Sequence, residues 1–245
     1  MILQSRIPYD VSTEPRLPGI QPLALADWLM VDDAFAGQMA RREDLISTKP
    51  EAVVALSESA RPAAEELLAY VLTHLGPGYA QSGQHVTRPD GVTVKIDRAN
   101  PMHTLGRLVQ EDLCILEKQG SEHVLTAATL CFPASWMLAE KFMKPLIGIH
   151  IPVQSYDENI AARVQRLFDG IQVDRPLWRW NGLKYAVAEL HHPRSESDRR
   201  PRPVTPEFFR SERQCLVRLP KTRAVVFSIH TFVVKLENAG LKDHD

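Results

Sequence analysis

The order in which hydrophobic periods follow one another limits this chain more than any single motif does. Leu67, Leu68, Val71, Leu72 and Leu75 form a helix-period stripe that Pro62 opens and Gly76-Pro77 closes. Upstream, Leu25, Trp28, Leu29, Phe35, Met39 and Leu45 recur at loosely helical intervals across 25–46. Strand chemistry follows. Residues 92–96 alternate, and the apolar runs 112–116 and 124–132 are joined by a short hairpin-type connection at 117–121. Helical periods return at 135–141, then in Ile160, Val164, Leu167, Phe168 and Ile171, which share one helix face. The strand-type runs 176–188, 213–219 and 224–234 close the chain, the last two flanking the turn Pro220-Lys221-Thr222. This is not the strict alternation of a doubly wound fold. It predicts an α+β domain, an antiparallel sheet with helices on one face.

The same reading divides the chain. Residues 1–22 are a Pro-rich extended lead-in, 23–236 one domain beginning with a helical extension at 23–76, and 237–245 a tail. Residues 77–91 read as loop, and 191–206 as a basic, Pro-rich, mobile surface loop.

Composition excludes several classes of function. The 245 residues carry 29 Lys+Arg against 30 Asp+Glu, which disfavours a nucleic-acid binder driven by bulk charge. No apolar run approaches the ~20 residues of a membrane span, and the N-terminus lacks a signal-peptide core, so a cytoplasmic protein is expected. Cys114, Cys131 and Cys215 are isolated and strand-borne, which fits core packing and supplies no iron–sulfur or zinc site. No short motif for a dinucleotide, a flavin or a nucleoside triphosphate occurs. Electrons for any redox chemistry must therefore arrive from elsewhere.

A few polar residues stand in apolar surroundings. His150 lies in Leu146-Ile147-Gly148-Ile149-His150-Ile151-Pro152; burial keeps such a ring neutral, able to ligate a metal or to bond within a core. His230 shares a strand face with Ser228 and Phe232, where it projects into a pocket or bonds a sheet neighbour. Glu111, in Gln110-Glu111-Asp112, sits where a carboxylate can bind a cationic amine, relay a proton or pair with an arginine. Alternation along 212–219 puts Glu212, Gln214, Leu216 and Arg218 on one face and Arg213, Cys215, Val217 and Leu219 on the other. An arginine among apolar residues asks for a buried anion, so Arg213 predicts one.

Four segments taken together resemble the heme-dependent oxidative N-demethylase family over roughly 18–235. They are Gly106-Arg107-Leu108-Val109-Gln110-Glu111-Asp112-Leu113-Cys114; Leu130-Cys131-Phe132-Pro133-Ala134-Ser135-Trp136 with Glu140-Lys141, Pro145 and Ile149-His150-x-Pro152-Val153; Trp178-Arg179-x-Asn181; and Arg210-x-Glu212-Arg213-Gln214 through Ala224 and Phe227. The resemblance implies a PAS-like sheet holding heme b, and the heme-bearing subunit of a system that demethylates a small secondary methylamine with dioxygen. Flavin and iron–sulfur partner proteins would supply its electrons. It implies His150 as iron ligand, Arg166 and Arg213 beside the propionates, and Glu111, Arg179, Asn181 and Glu212 around substrate and oxygen. The chain departs from the family pattern at His230 and Phe232, where Arg and Tyr are expected, and at Gly182, where Trp is expected. His230 could thus be a second axial ligand. A non-catalytic heme sensor is the alternative function, since PAS-like folds serve both ends.

Overall fold

The computed structural model describes residues 1–12, 19–150, 158–198 and 205–241. In chain order, β1 (Gln21–Pro22) is followed by α1 (Phe35–Thr48), α2 (Pro50–Val53), β2 (Val54–Leu56) and α3 (Arg61–Thr73). Next come β3 (Ala80–Ser82), β4 (His85–Thr87), β5 (Thr93–Lys95) and α4 (Pro101–Leu108). The hairpin of β6 (Asp112–Gln119) and β7 (Glu122–Thr129) leads to α5 (Leu138–Lys141), α6 (Leu146–His150) and α7 (Glu158–Gly170). The chain closes with β8 (Leu177–Tyr185), β9 (Phe208–Arg218) and β10 (Val225–Lys235).

Seven strands form one antiparallel sheet in the order β1-β8-β9-β10-β6-β7-β2, and β3-β4-β5 form a small second sheet. The α+β architecture follows the order of periods in the sequence. Helices on one face only does not hold. Leu113, Ile115, Cys215, Val217 and Val226 pack on Leu67, Leu68 and Val71 of α3 and on Met102, Leu105 and Leu108 around α4. From the opposite face, Cys114, Leu116, Leu216, Val225 and Ile229 pack on Leu138, Leu146, Phe168 and Ile171, at α5 to α7. The physical reason is in the strands. Successive residues of β10 and β6 are buried on both sides, and a doubly apolar strand needs cover on both.

Several segments escape the sequence patterns, among them α2, β2, α6 and residues 208–212 of β9, and two others show why. Residues 77–91 contain β3 and β4, whose turn carries Gly83 in the left-handed region; β3 is exposed throughout and so shows no apolar alternation. Helix α4 is interrupted in propensity by Gly106, and the packing explains it. A Cβ there would lie 2.4 Å from the Thr129 side chain and 2.7 Å from that of Ile46, so only glycine lets α4 lie against β7 and α1.

The apolar stripe of α1 contains a fully buried arginine. Arg42 Nη1 lies 2.6 Å from Asp112 Oδ1, and Arg42 also donates to the carbonyls of Gly106 (2.9 Å) and Gln110 (3.1 Å). Asp112 in turn accepts the backbone N–H groups of Cys131 (2.7 Å) and Phe132 (2.8 Å). One ion pair thus joins α1, the α4–β6 junction and the chain beyond β7.

Helix α7 is fastened at its C-terminal end. Arg218 gives Nε to the Ile171 carbonyl (2.6 Å), Nη2 to that of Phe168 and Nη1 to that of Arg223 (2.6 Å), capping the last-turn carbonyls with a cation. His123 and Gln165 exchange two hydrogen bonds, of 3.0 and 2.8 Å, and Lys118 pairs with Asp169 at 2.6 Å.

Replacing Asp112 by Ala leaves a buried guanidinium and two buried amides without their acceptor. The expected loss is about 3–5 kcal/mol in urea unfolding. Adding Arg42→Met should cost much less than the sum of the two single effects, because the pair acts as a unit.

Candidate functional site

Antiparallel register sets out the α7-covered side of the sheet in rows across β10, β9 and β8. Phe227, Leu216 and Leu177 form an apolar row; then come Ile229, Gln214 and Arg179; then Thr231, Glu212 and Asn181; then Val233, Arg210 and Leu183. Glu212 is buried, Leu177, Arg179, Gln214 and Phe227 are half-buried, and Asn181 is exposed. The Glu212 carboxylate accepts at Oε2 from Asn181 Nδ2 (3.3 Å) and Gln214 Nε2 (3.2 Å).

Buried polar atoms without a hydrogen-bond partner gather here. Arg179 Nε, Arg210 Nε, Glu212 Oε1 and Thr231 Oγ1 are all buried without a hydrogen bond and all in three adjacent rows of this one face, with Glu212 Oε1 3.6 Å from Arg210 Nη2 as an ion pair. A folded interior satisfies nearly all its polar groups, since each buried orphan costs roughly 1–3 kcal/mol. Four in one patch mark a place where a ligand completes the bonding. Leu177, Phe227 and Ile149 border it, with Val164 and Leu167 of α7 in the same apolar cluster, so a flat apolar body meets both a wall and polar contacts.

The other side of β10 is polar in a different way. His230 is buried between two carboxylates, with Nδ1 2.9 Å from Glu111 Oε1 and Nε2 3.0 Å from Asp32 Oδ2. Glu111 Oε1 also accepts from the Met30 N–H (2.8 Å), and Asp32 accepts from the side chains of Gln4 (2.8 Å) and Gln110 (2.9 Å). Burial alone would lower the pKa of the ring, but the flanking carboxylates outweigh it and hold it at about 9. The ring is therefore an imidazolium with both nitrogens protonated and bonded, which leaves no lone pair for iron. Phe232 is buried beside it, its ring 5.7 Å from Tyr9 and 4.6 Å from His230.

The anion that the sequence asks for beside Arg213 is replaced by backbone. Arg213 donates to the carbonyls of Trp28 (3.2 Å) and Asp27 (2.7 Å) and lies over the Trp178 ring, on the side of His230. Its guanidinium is satisfied without a carboxylate. Gly182 also has a local reason: a Cβ there would meet the Phe209 ring at 2.2 Å, so Phe209 occupies the space a Trp side chain would need.

The sequence-derived candidates thus divide. Arg179, Asn181 and Glu212 come together on the sheet side that packs on α7 through Leu216 and Ile229, whereas Glu111, Arg213 and His230 lie on the opposite side. Arg166 is exposed on α7. The backbone of His150 ends α6, whose Leu146 and Ile149 join the cluster beneath α7. The His150 side chain and residues 151–153 lie outside the described residues, as do 13–18 of the lead-in, 199–204 of the basic loop and 242–245 of the tail. Sequence reasoning passed over Arg210, Gln214 and Thr231 as site residues. Stepping by two from Glu212 finds the first two, while Thr231 emerges only from the pairing of β9 with β10.

The antiparallel α+β frame thus carries a candidate ligand-binding face, apolar at its rim and short of hydrogen bonds. The family model for haem-dependent oxidative N-demethylase, alpha subunit-like, matches residues 19–243, and the chain belongs to that family. Among the described residues no helix is long and apolar enough to cross a membrane.

The imidazolium makes stability depend on pH with a definite sign. A histidine titrates near 6.5 when unfolded and at about 9 here, so its contribution is complete below pH ~6.5 and is lost as pH rises through about 9. Unfolding free energy from urea titrations should fall across that window, and His230→Gln should flatten the slope.

Proposed function

We propose that this chain is the heme-bearing subunit of an oxidative N-demethylase acting with dioxygen on a small secondary methylamine, in the cytoplasm, with electrons delivered by flavin and iron–sulfur partner proteins. Family membership supports the reaction class. The observation that carries the site is the cluster of buried polar atoms without hydrogen bonds on the β8–β10 face, next to the rows of Leu216 and Ile229 that pack on α7. In this reading the fold is PAS-like and the group is heme b.

The residues present fit such a group. Leu177, Leu216 and Phe227 offer an apolar row to a macrocycle, and α6 brings the chain at His150 to the same side. His150 is the proposed iron ligand, with Arg166 a cation on the covering helix. When bound, the heme supplies an iron that takes up electrons and activates dioxygen. The protein's own contribution is to hold and orient the amine. A secondary methylamine is a cation at neutral pH, and Glu212 Oε1 is a buried acceptor that takes no hydrogen bond, its ion-pair partner Arg210 Nη2 standing 3.6 Å away. Asn181 and Gln214 fix the other oxygen of the same carboxylate, so Oε1 is held in place to receive the ammonium N–H. The Thr231 hydroxyl, one residue across on β10, can donate or accept beside it. Apolar neighbours lower the local dielectric and strengthen these bonds.

Reconstitution with hemin tests the reading. Wild-type protein should give a Soret band that His150→Ala weakens or shifts, and dimethylamine should perturb it. Glu212→Gln should keep the band and weaken that response by ~30-fold or more, the worth of one buried charge-assisted bond. Formaldehyde release with a reductant and dioxygen separates an enzyme from a heme sensor. Absence of any heme complex in the wild type would overturn the proposal.

A further inference from the structure

Buried and half-buried arginines are numerous here, and almost all are satisfied internally. Arg42 has Asp112, and Arg88 has Asp90 at 2.7 Å and the Arg107 carbonyl at 2.7 Å. Arg210 gives Nη1 to the Leu190 carbonyl (2.8 Å) and Nη2 to that of Phe132 (2.5 Å). Arg213 and Arg218 cap the carbonyls described above. Arg42 Nη2 and Arg210 Nε are also left without a hydrogen bond, but both arginines are anchored through their other nitrogens, whereas Arg179 has no such anchor. Its Nε is buried with no partner, and its pKa is drawn down from the ordinary guanidinium value by burial alone, with no neighbouring carboxylate to restore it. Its row neighbour Gln214 turns its amide N–H to Glu212 instead.

Arg179 is half-buried, and a guanidinium whose Nε is out of water without a partner gains from an anion. The surroundings restrict which anion. One arginine, between the apolar row of Leu177, Leu216 and Phe227 and the row of Glu212, offers a planar two-donor edge and a single positive charge. That matches a monovalent carboxylate on an apolar body. It does not match a phosphate dianion, for which no second cation stands in the neighbouring rows apart from Arg210, already committed to two carbonyls.

We infer that Arg179 is the carboxylate-binding residue of this face, pairing with an organic carboxylate carried either by the macrocycle or by the amine itself. The inference rests on the proposed placement of heme and amine on this face. If the macrocycle brings the carboxylate, Arg179 is the propionate partner and Arg213 is not. If the amine brings it, Glu212 and Arg179 together select a zwitterion, an N-methyl amino acid, over a simple amine.

Two arms decide between the sources. In the first, Soret titrations compare hemin with its dimethyl ester, which lacks free carboxylates. Wild type should prefer hemin at least tenfold, Arg179→Gln should reduce the preference below about threefold, and Arg179→Lys should recover part of it. In the second, protein labelled with ¹⁵N-arginine is titrated with N-methylglycine and with dimethylamine in the absence of porphyrin. The Arg179 Nε–H resonance, assigned by its loss in Arg179→Gln, should move with N-methylglycine and not with dimethylamine if the amine is the source. Success in either arm supports the inference and names the source. Failure in both overturns it. A wild type that binds neither porphyrin refutes the heme reading while the resonance still decides the fate of Arg179.

Discussion

The buried pair between Arg42 and Asp112 is the joint on which the architecture turns. It places a charge inside the apolar stripe of α1, and that charge is tolerable only because an aspartate at the start of β6 faces it. The same aspartate terminates the amides of Cys131 and Phe132, so it fixes where the chain leaves the β6–β7 hairpin. From that exit the chain runs to α5, α6 and α7, the cover of the candidate site. A buried ion pair adds little net stability over a well-packed apolar substitute, but it specifies geometry, since neither partner has another place to go.

The two sides of β9 and β10 are built for different purposes. On the side of α3 and α4, polar groups are matched inside the protein: His230 with two carboxylates, Arg213 with two carbonyls and an aromatic face. On the side of α7, Arg179, Arg210, Glu212 and Thr231 each keep a buried atom unmatched. On the first side the ionic groups are held by protein partners, with Glu111 Oε2 left without a hydrogen bond, and the second offers four such atoms in adjacent rows.

Much of this was legible in the residues. The long alternating strands, the α3 and α7 stripes and the α+β order follow from period and from Gly and Pro punctuation. Helix α4 was hidden because Gly106 lowers helix propensity for the sake of a close approach visible only in three dimensions. Strand β3 was hidden because an exposed strand has no apolar side to alternate, and β4 because its single buried residue, Val86, is too little to show a period. Within the site, Arg179, Asn181 and Glu212 could be named from their segments, but alternation within one strand gives sides without saying which elements cover them. For that reason Arg213 and His230 could be placed on one side of the sheet but not paired. Their partners, Asp27, Trp28 and Asp32, come from a stretch some two hundred residues earlier, a distance that no local pattern spans.

Strand β9 carries two inventories on one backbone, interleaved residue by residue. A slip of a single position against β8 and β10 would exchange them wholesale. Arg213 would then point to the side that packs on α7, while the Glu212 carboxylate would be pressed against the Asp27 and Trp28 carbonyls, which have no hydrogen to donate. The strand therefore tolerates substitution far better than insertion or deletion. Its eleven consecutive pairings with β10 act as the ratchet that keeps a two-sided ribbon from being threaded one notch out of place.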